Sequence, residues 1–132
     1  MEQDKPDIKP LIFLFAESYL ENINLRFCLE DSGIDQMVTM VNLEHLEQEL
    51  YHKPDIIIIN QELDHPSAEN VIKMIGENDP YCQIIFLIEN EDRNDIVALL
   101  SSGSFDYVTK DEMFNSKITR IINSVSRWKL DL

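Results

Sequence analysis

Glycine is scarce in this 132-residue chain, with only 3 residues, so no Gly-rich loop is available to cradle a phosphate on backbone amides. Cysteine is scarcer still. Cys28 and Cys82 stand far apart, without the close pairing that a metal site or a redox motif uses, and both read as small apolar core residues. Positive charge is also short: 11 basic residues face 25 acidic ones, a formal charge of -14 that repels phosphate backbones and anionic membrane surfaces. Nucleic acid is thereby an improbable partner. No apolar run approaches the roughly 20 residues that span a bilayer, and no signal peptide opens the chain, so the expectation is a cytoplasmic protein with no membrane contact. His45, His52 and His65 lack the spacing of metal ligands and read as surface or helix-face residues.

What is present is a regular alternation of apolar runs and helical patterns. With 44% apolar residues the chain is one domain able to bury a real core, and residues 1–9 read as a loose polar leader. The most informative stretch is Lys53-Pro54-Asp55-Ile56-Ile57-Ile58-Ile59-Asn60. Four consecutive β-branched residues leave no room for alternation, as in a strand buried on both faces of a parallel sheet. Such a strand delivers Asn60 to its carboxyl end, where open α/β sheets place their ligands and chemistry.

Leu11 to Phe15, Gln36 to Val41, Gln83 to Ile88 and Phe105 to Thr109 read as the other strands. Ser18-Tyr19-Leu20-Glu21 has the spacing of a capping box opening a first helix on Leu25, Cys28 and Leu29, with Asp31-Ser32-Gly33 as its stop. Asn42 caps a second helix carrying Leu43, Leu46 and Leu50. After a polar loop from Gln61 to Pro66, a third helix turns Val71, Ile72 and Ile75 inward, and Asn78-Asp79-Pro80 breaks it. Ile96, Val97, Leu99 and Leu100 mark a fourth helix ended by Ser101-Ser102-Gly103. Ile118, Ile121, Ile122 and Val125 mark a fifth, whose apolar face Trp128 continues. Five strand-then-helix units predict a doubly wound α/β fold with right-handed crossovers.

This order and spacing resemble the receiver domain of two-component response regulators, over about residues 9 to 127. The most specific segment is Ala98-Leu99-Leu100-Ser101-Ser102-Gly103-Ser104-Phe105-Asp106-Tyr107-Val108-Thr109-Lys110, similar to the family's passage from fourth helix to fifth strand; Lys-Pro-Asp before an apolar strand is typical of its third. The resemblance implies a flavodoxin-like fold: a five-stranded parallel sheet in the order 2-1-3-4-5 flanked by five helices.

It also implies a site. The family transfers a phosphoryl group to an aspartate after the third strand, assisted by Mg²⁺ on an acidic pair, a Ser or Thr hydroxyl and a lysine. Carried over, the acceptor position falls on Asn60, the acidic pair on Ala16 and Glu17 (or, one residue along, Glu17 and Ser18), the hydroxyl on Ile88, and the lysine on Lys110. Only the lysine matches. A neutral amide is a poor nucleophile, losing charge at Ala16 and Asn60 leaves Glu17 at most a weak Mg²⁺ ligand, and Ile88 offers no hydrogen bond, with Glu89 beside it adding like charge. Lys110 is expected to turn into the former site, pairing with Glu17 and bonding the side-chain oxygen of Asn60.

The expected function is that of a receiver not phosphorylated at the usual position. It needs no catalytic residue, metal or cofactor, and acts through contacts with a histidine kinase, an output domain or another receiver. A homodimer through the fourth helix, fifth strand and fifth helix would use Tyr107 and Trp128 as anchors. The alternatives are a divergent phosphoacceptor using Asp64 or another carboxylate, and a flavodoxin-like cofactor binder, against which stands the glycine-free turn Ala16-Glu17-Ser18.

Overall fold

The isoleucine run is the centre of the molecule. In the computed structural model, which describes residues 9–89, 94–102, 106–111 and 113–130, Ile56–Ile59 form strand β3, and all four side chains are fully buried. Pleating divides them. Ile56 and Ile58 point to one apolar layer and Ile57 and Ile59 to the other, as a strand covered on both faces requires.

The remaining strands are β1 (Ile12–Phe15), β2 (Met37–Met40), β4 (Gln83–Ile88) and β5 (Asp106–Thr109), all parallel, in the order β2-β1-β3-β4-β5. Helix α1 (Tyr19–Asp31) and helix α5 (Phe114–Leu130) cover one face, where Leu25, Leu29, Ile118 and Ile122 meet Ile12, Leu14, Ile58 and Leu87. The other face carries α2 (Leu43–Glu49), α3 (His65–Asn78) and α4 (Asn94–Ser102), with Leu46, Val71, Ile75, Ile96 and Leu100 packed on Phe13, Phe15, Ile57 and Phe86. The doubly wound fold and strand order expected above are those observed. No helix among the described residues is long and apolar enough to cross a membrane.

Local signals explain most boundaries. The Ser18 hydroxyl accepts from the Glu21 amide at 3.3 Å, one half of a capping box; the reciprocal bond, from the Ser18 amide to the Glu21 carboxylate, is not made among the described residues. At the other end of α1, Gly33 takes φ 89°, where a side chain would be strained, and the amides of Gly33 and Ile34 return to the carbonyls of Glu30 and Leu29. Asn42 caps α2 through the His45 amide at 2.7 Å. Leu50 lies just beyond α2, in a short 3₁₀ turn, Leu50–His52.

Two expectations differ. The loop expected from Gln61 to Pro66 ends two residues early, because Asp64 caps α3 through the Ser67 amide at 2.8 Å and Pro66 sits in the first turn, where its missing N–H costs nothing. Cys28 and Cys82 are only partly buried rather than sealed in the core. Residues 1–8 of the expected leader, Gly103 and Phe105 lie outside the described residues, as does the side chain of Trp128, although α5 runs through that position.

Candidate functional site

Asn60 follows β3 directly. Its amide donates to the Phe15 carbonyl at 2.7 Å, which seats it between the ends of β1 and β3. Continuing the alternation of Ile56 and Ile58, it lies on the α1 and α5 side, 4% exposed, and its Nδ2 donates to the Glu21 carbonyl at 3.4 Å. Its Oδ1 is buried and has no hydrogen-bond partner.

Asn60 opens onto a cavity of about 290 Å³ whose wall includes Glu21, Leu25, Leu87, Glu89, Lys110 and Phe114. Lys110 therefore turns into the cleft, as expected, but with a different partner. Its ammonium lies 3.5 Å from Glu89 Oε1 and is not bonded to Glu17 or to Asn60 Oδ1. The geometry of β4 is the reason: Leu87 and Glu89 share a face with Asn60, which puts Glu89 beside Lys110 across the β4–β5 pair. Glu17 is exposed instead.

The other carried-over positions lie around this cleft rather than in it. Ala16 is fully buried, with its amide on the Met40 carbonyl at 3.2 Å. Ile88 points to the opposite face of the sheet, packed with Ile96 and Leu100, and meets Lys110 only through its carbonyl, which accepts the lysine's amide at 2.8 Å. Tyr107 is half-buried against the α4-side layer.

Three residues hold the site together without having been singled out in the sequence. Gln61 and Glu62 reach in opposite directions: Gln61 Oε1 accepts the Glu17 amide and Glu62 Oε1 the Glu89 amide, both at 2.8 Å, so the loop after β3 ties down the loops after β1 and β4. Asn22, fully buried on α1, donates to the carbonyls of Met40 at 3.0 Å and Leu14 at 3.5 Å, locking the helix onto the ends of β1 and β2. A polar residue on the face shared with Leu25 and Leu29 was the signal for Asn22. Beyond Lys110, the Asp111 carboxylate is held below its usual range by the Met113 amide and by Lys117, which it meets at 2.8 and 3.3 Å. Cys82 is pushed up to about 12 by burial and by nearby Asp79, and stays a protonated packing residue.

A model of the response regulator receiver domain matches residues 16–123. The chain belongs to that family. Solved structures share the receiver's fold: a pilus assembly-related protein from Burkholderia pseudomallei is 13% identical with a TM-score of 0.74, 96% of each chain being covered. The chemotaxis protein CheY4 of Vibrio cholerae is 12% identical with a TM-score of 0.70, over 89% of this chain and 99% of that one. The response regulator domain of Thermotoga maritima CheB is 17% identical with a TM-score of 0.68, over 91% and 98%. No curated protein gives a significant sequence match.

The residues of this receiver do not fit the divalent cation that the family uses. Ala16 has no ligating atom, Asn60 offers one neutral oxygen, and among the described residues no three of His, Cys, Asp and Glu are grouped as a metal requires.

Proposed function

We propose that this receiver works in two-component signalling without being phosphorylated at the usual position, as a cytoplasmic protein-interaction module that performs no chemistry of its own. The observation that carries this reading is Asn60: a neutral amide, 4% exposed, stands where a nucleophilic carboxylate is needed, with its Nδ2 spent on the Glu21 carbonyl. Internal bonds take the place of external ligands. Lys110 has Glu89 as its counter-ion, and Gln61 and Glu62 brace the neighbouring loops.

The partner is a histidine kinase, an output domain or another receiver, and the face built by α4, β5 and α5 carries the contact or a homodimer, with Tyr107 and Trp128 as its aromatic anchors. Tyr107 also packs inward, so Tyr107→Ala tests folding and contact together, and Trp128→Ala is read beside it. Asp64, the carboxylate of the alternative reading, is engaged as the cap of α3.

The deciding experiment is intact-mass spectrometry after incubation with acetyl phosphate and Mg²⁺. The expected result is an unmodified chain; a phosphate adduct overturns the reading.

A further inference from the structure

Strand β2 is an outer strand of the sheet and, among the described residues, pairs with β1 alone. The ladder fixes which of its backbone groups are used. The carbonyls of Gln36 and Met40 accept the amides of Ile12 and Ala16 at 2.9 and 3.2 Å, so residues 36, 38 and 40 face β1. The backbone groups of Met37, Thr39 and Val41 therefore face away from it. Natural sheets guard such an edge with charge or proline. The opposite edge strand, β5, carries Asp106, whereas Gln36 to Leu43 contain no charged residue and no proline, in a chain that is 27% charged.

The borders of this edge are apolar as well. On α1, Glu21, Asn24 and Cys28 line the cleft toward Lys110 and Phe114, and Leu25 and Leu29 turn to the sheet. That leaves Tyr19, Ile23 and Phe27, spaced four residues apart, as a row on the flank toward β2, with Tyr19 and Phe27 67% and 61% exposed. Met37 packs on the α1 side of the sheet and Met40 on the other, so Thr39 and Val41 share the α1 side; Thr39 is partly exposed and Val41 39% exposed. Val38, on the α2 side, is exposed, as is Leu43.

Open backbone groups bordered by apolar surface suit another strand, and an uncharged one, since a basic strand would find no carboxylate between Gln36 and Leu43. The edge is complementary to itself. In an antiparallel pair centred on Thr39, the N–H and C=O of Thr39 meet those of its counterpart, and Met37 faces Val41 at either end, so the three outward residues match in one register. The branched Thr39 side chains then lie opposite each other, a favourable cross-strand pair. We infer that β2 is the homodimer edge of this receiver: two copies join their β2 strands about a two-fold axis at Thr39 into one continuous sheet, with the Tyr19, Ile23 and Phe27 rows flanking the seam. This goes beyond the reading above and does not depend on it. Because β5 lies at the far edge of the sheet, α4, β5 and α5 stay open to a partner in both copies.

The test is sedimentation equilibrium of the full chain over a concentration series, with amide hydrogen exchange read on the same samples. A reversible monomer–dimer equilibrium is expected. In it the Thr39 and Val41 amides gain protection in proportion to the dimer, while those of Val38 and Met40, directed at β1, keep theirs. Thr39→Lys and Thr39→Glu each set like charges opposite one another across the two-fold axis and should both weaken the dimer on the order of fivefold or more, with unchanged urea midpoints at dilution showing that the fold survives. A chain monomeric throughout, or Thr39 exchange that ignores concentration, would overturn the assignment. So would a dimer strengthened by the lysine and weakened by the glutamate, as bulk charge alone would have it, or one lost in Trp128→Ala but kept in both Thr39 variants.

Discussion

The ammonium of Lys110 lies 3.5 Å from Glu89 Oε1, so the acidic residue that sequence reasoning marked only as a source of repulsion is the lysine's counter-ion. The lysine is mostly enclosed and the glutamate mostly exposed, at 23% and 59% of their side-chain surfaces, which keeps the pair in water's reach. It orients Lys110 across the cleft more than it stabilises the fold.

A double-mutant cycle of Lys110→Met and Glu89→Gln is therefore expected to give a coupling of about 0.2–1 kcal/mol in urea unfolding, shrinking as salt is added. A coupling several times larger would show that the pair is buried in solution.

Asn60→Asp is expected to cost stability without restoring phosphorylation. The new carboxylate loses the bond to the Glu21 carbonyl and faces that oxygen with a buried charge, at a cost of about 2–4 kcal/mol near neutral pH. Burial raises such a carboxyl's folded pKa, so the loss should fade as pH falls through the carboxylate range and the group is protonated. Urea midpoints against pH, with intact mass after acetyl phosphate, measure both halves; a strong phosphate adduct in this single variant would show that Ala16 and Ile88 matter little.

Asn22→Ala removes the donor to Met40 and Leu14 at a fully buried position, and should destabilise the fold by about 1–3 kcal/mol. The amide of Ala16, which shares the Met40 carbonyl, should exchange faster with solvent in hydrogen-exchange measurements.

In the middle of the sheet, Ile58→Ala should cost about 2–5 kcal/mol and Ile58→Val about 0.5–1.5, since the side chain is fully buried. Denaturant midpoints with an unchanged slope would check that only packing has been altered.

Asp106 supplies a pH dependence of opposite sign to the usual carboxylate. Burial raises its pKa, although Gln83 Nε2 donates to it. A carboxyl raised in the folded state contributes stability that is present below its unfolded pKa and lost as pH rises through its folded one. Asp106→Asn should remove that component and keep the Gln83 contact, so the stability difference between variant and parent should be seen at neutral pH and vanish in acid; a difference independent of pH would assign the effect to packing.

Much of this molecule was legible along the chain. Four β-branched isoleucines in a row point to a strand covered on both faces, Gly33 suits the left-handed turn that ends α1, and Asn42 announces the start of α2, because each signal acts within a few residues of itself. The same local reach put Asn60 and Lys110 at strand ends. What the chain could not decide is which side chains meet there. Glu17 and Glu89 are both acidic residues just past a strand, and only the parity of β4, with Ile88 turned to one layer and Glu89 to the other, brings Glu89 rather than Glu17 to the lysine. The bonds from Gln61, Glu62 and Asn22 likewise span loops and strands remote in sequence, and they exist only once crossover connections have packed five strand ends side by side. Periodicity and capping are properties of neighbours along the backbone, whereas a polar contact between strand ends depends on the register of the whole sheet, which is why the elements were readable and the counter-ion was not.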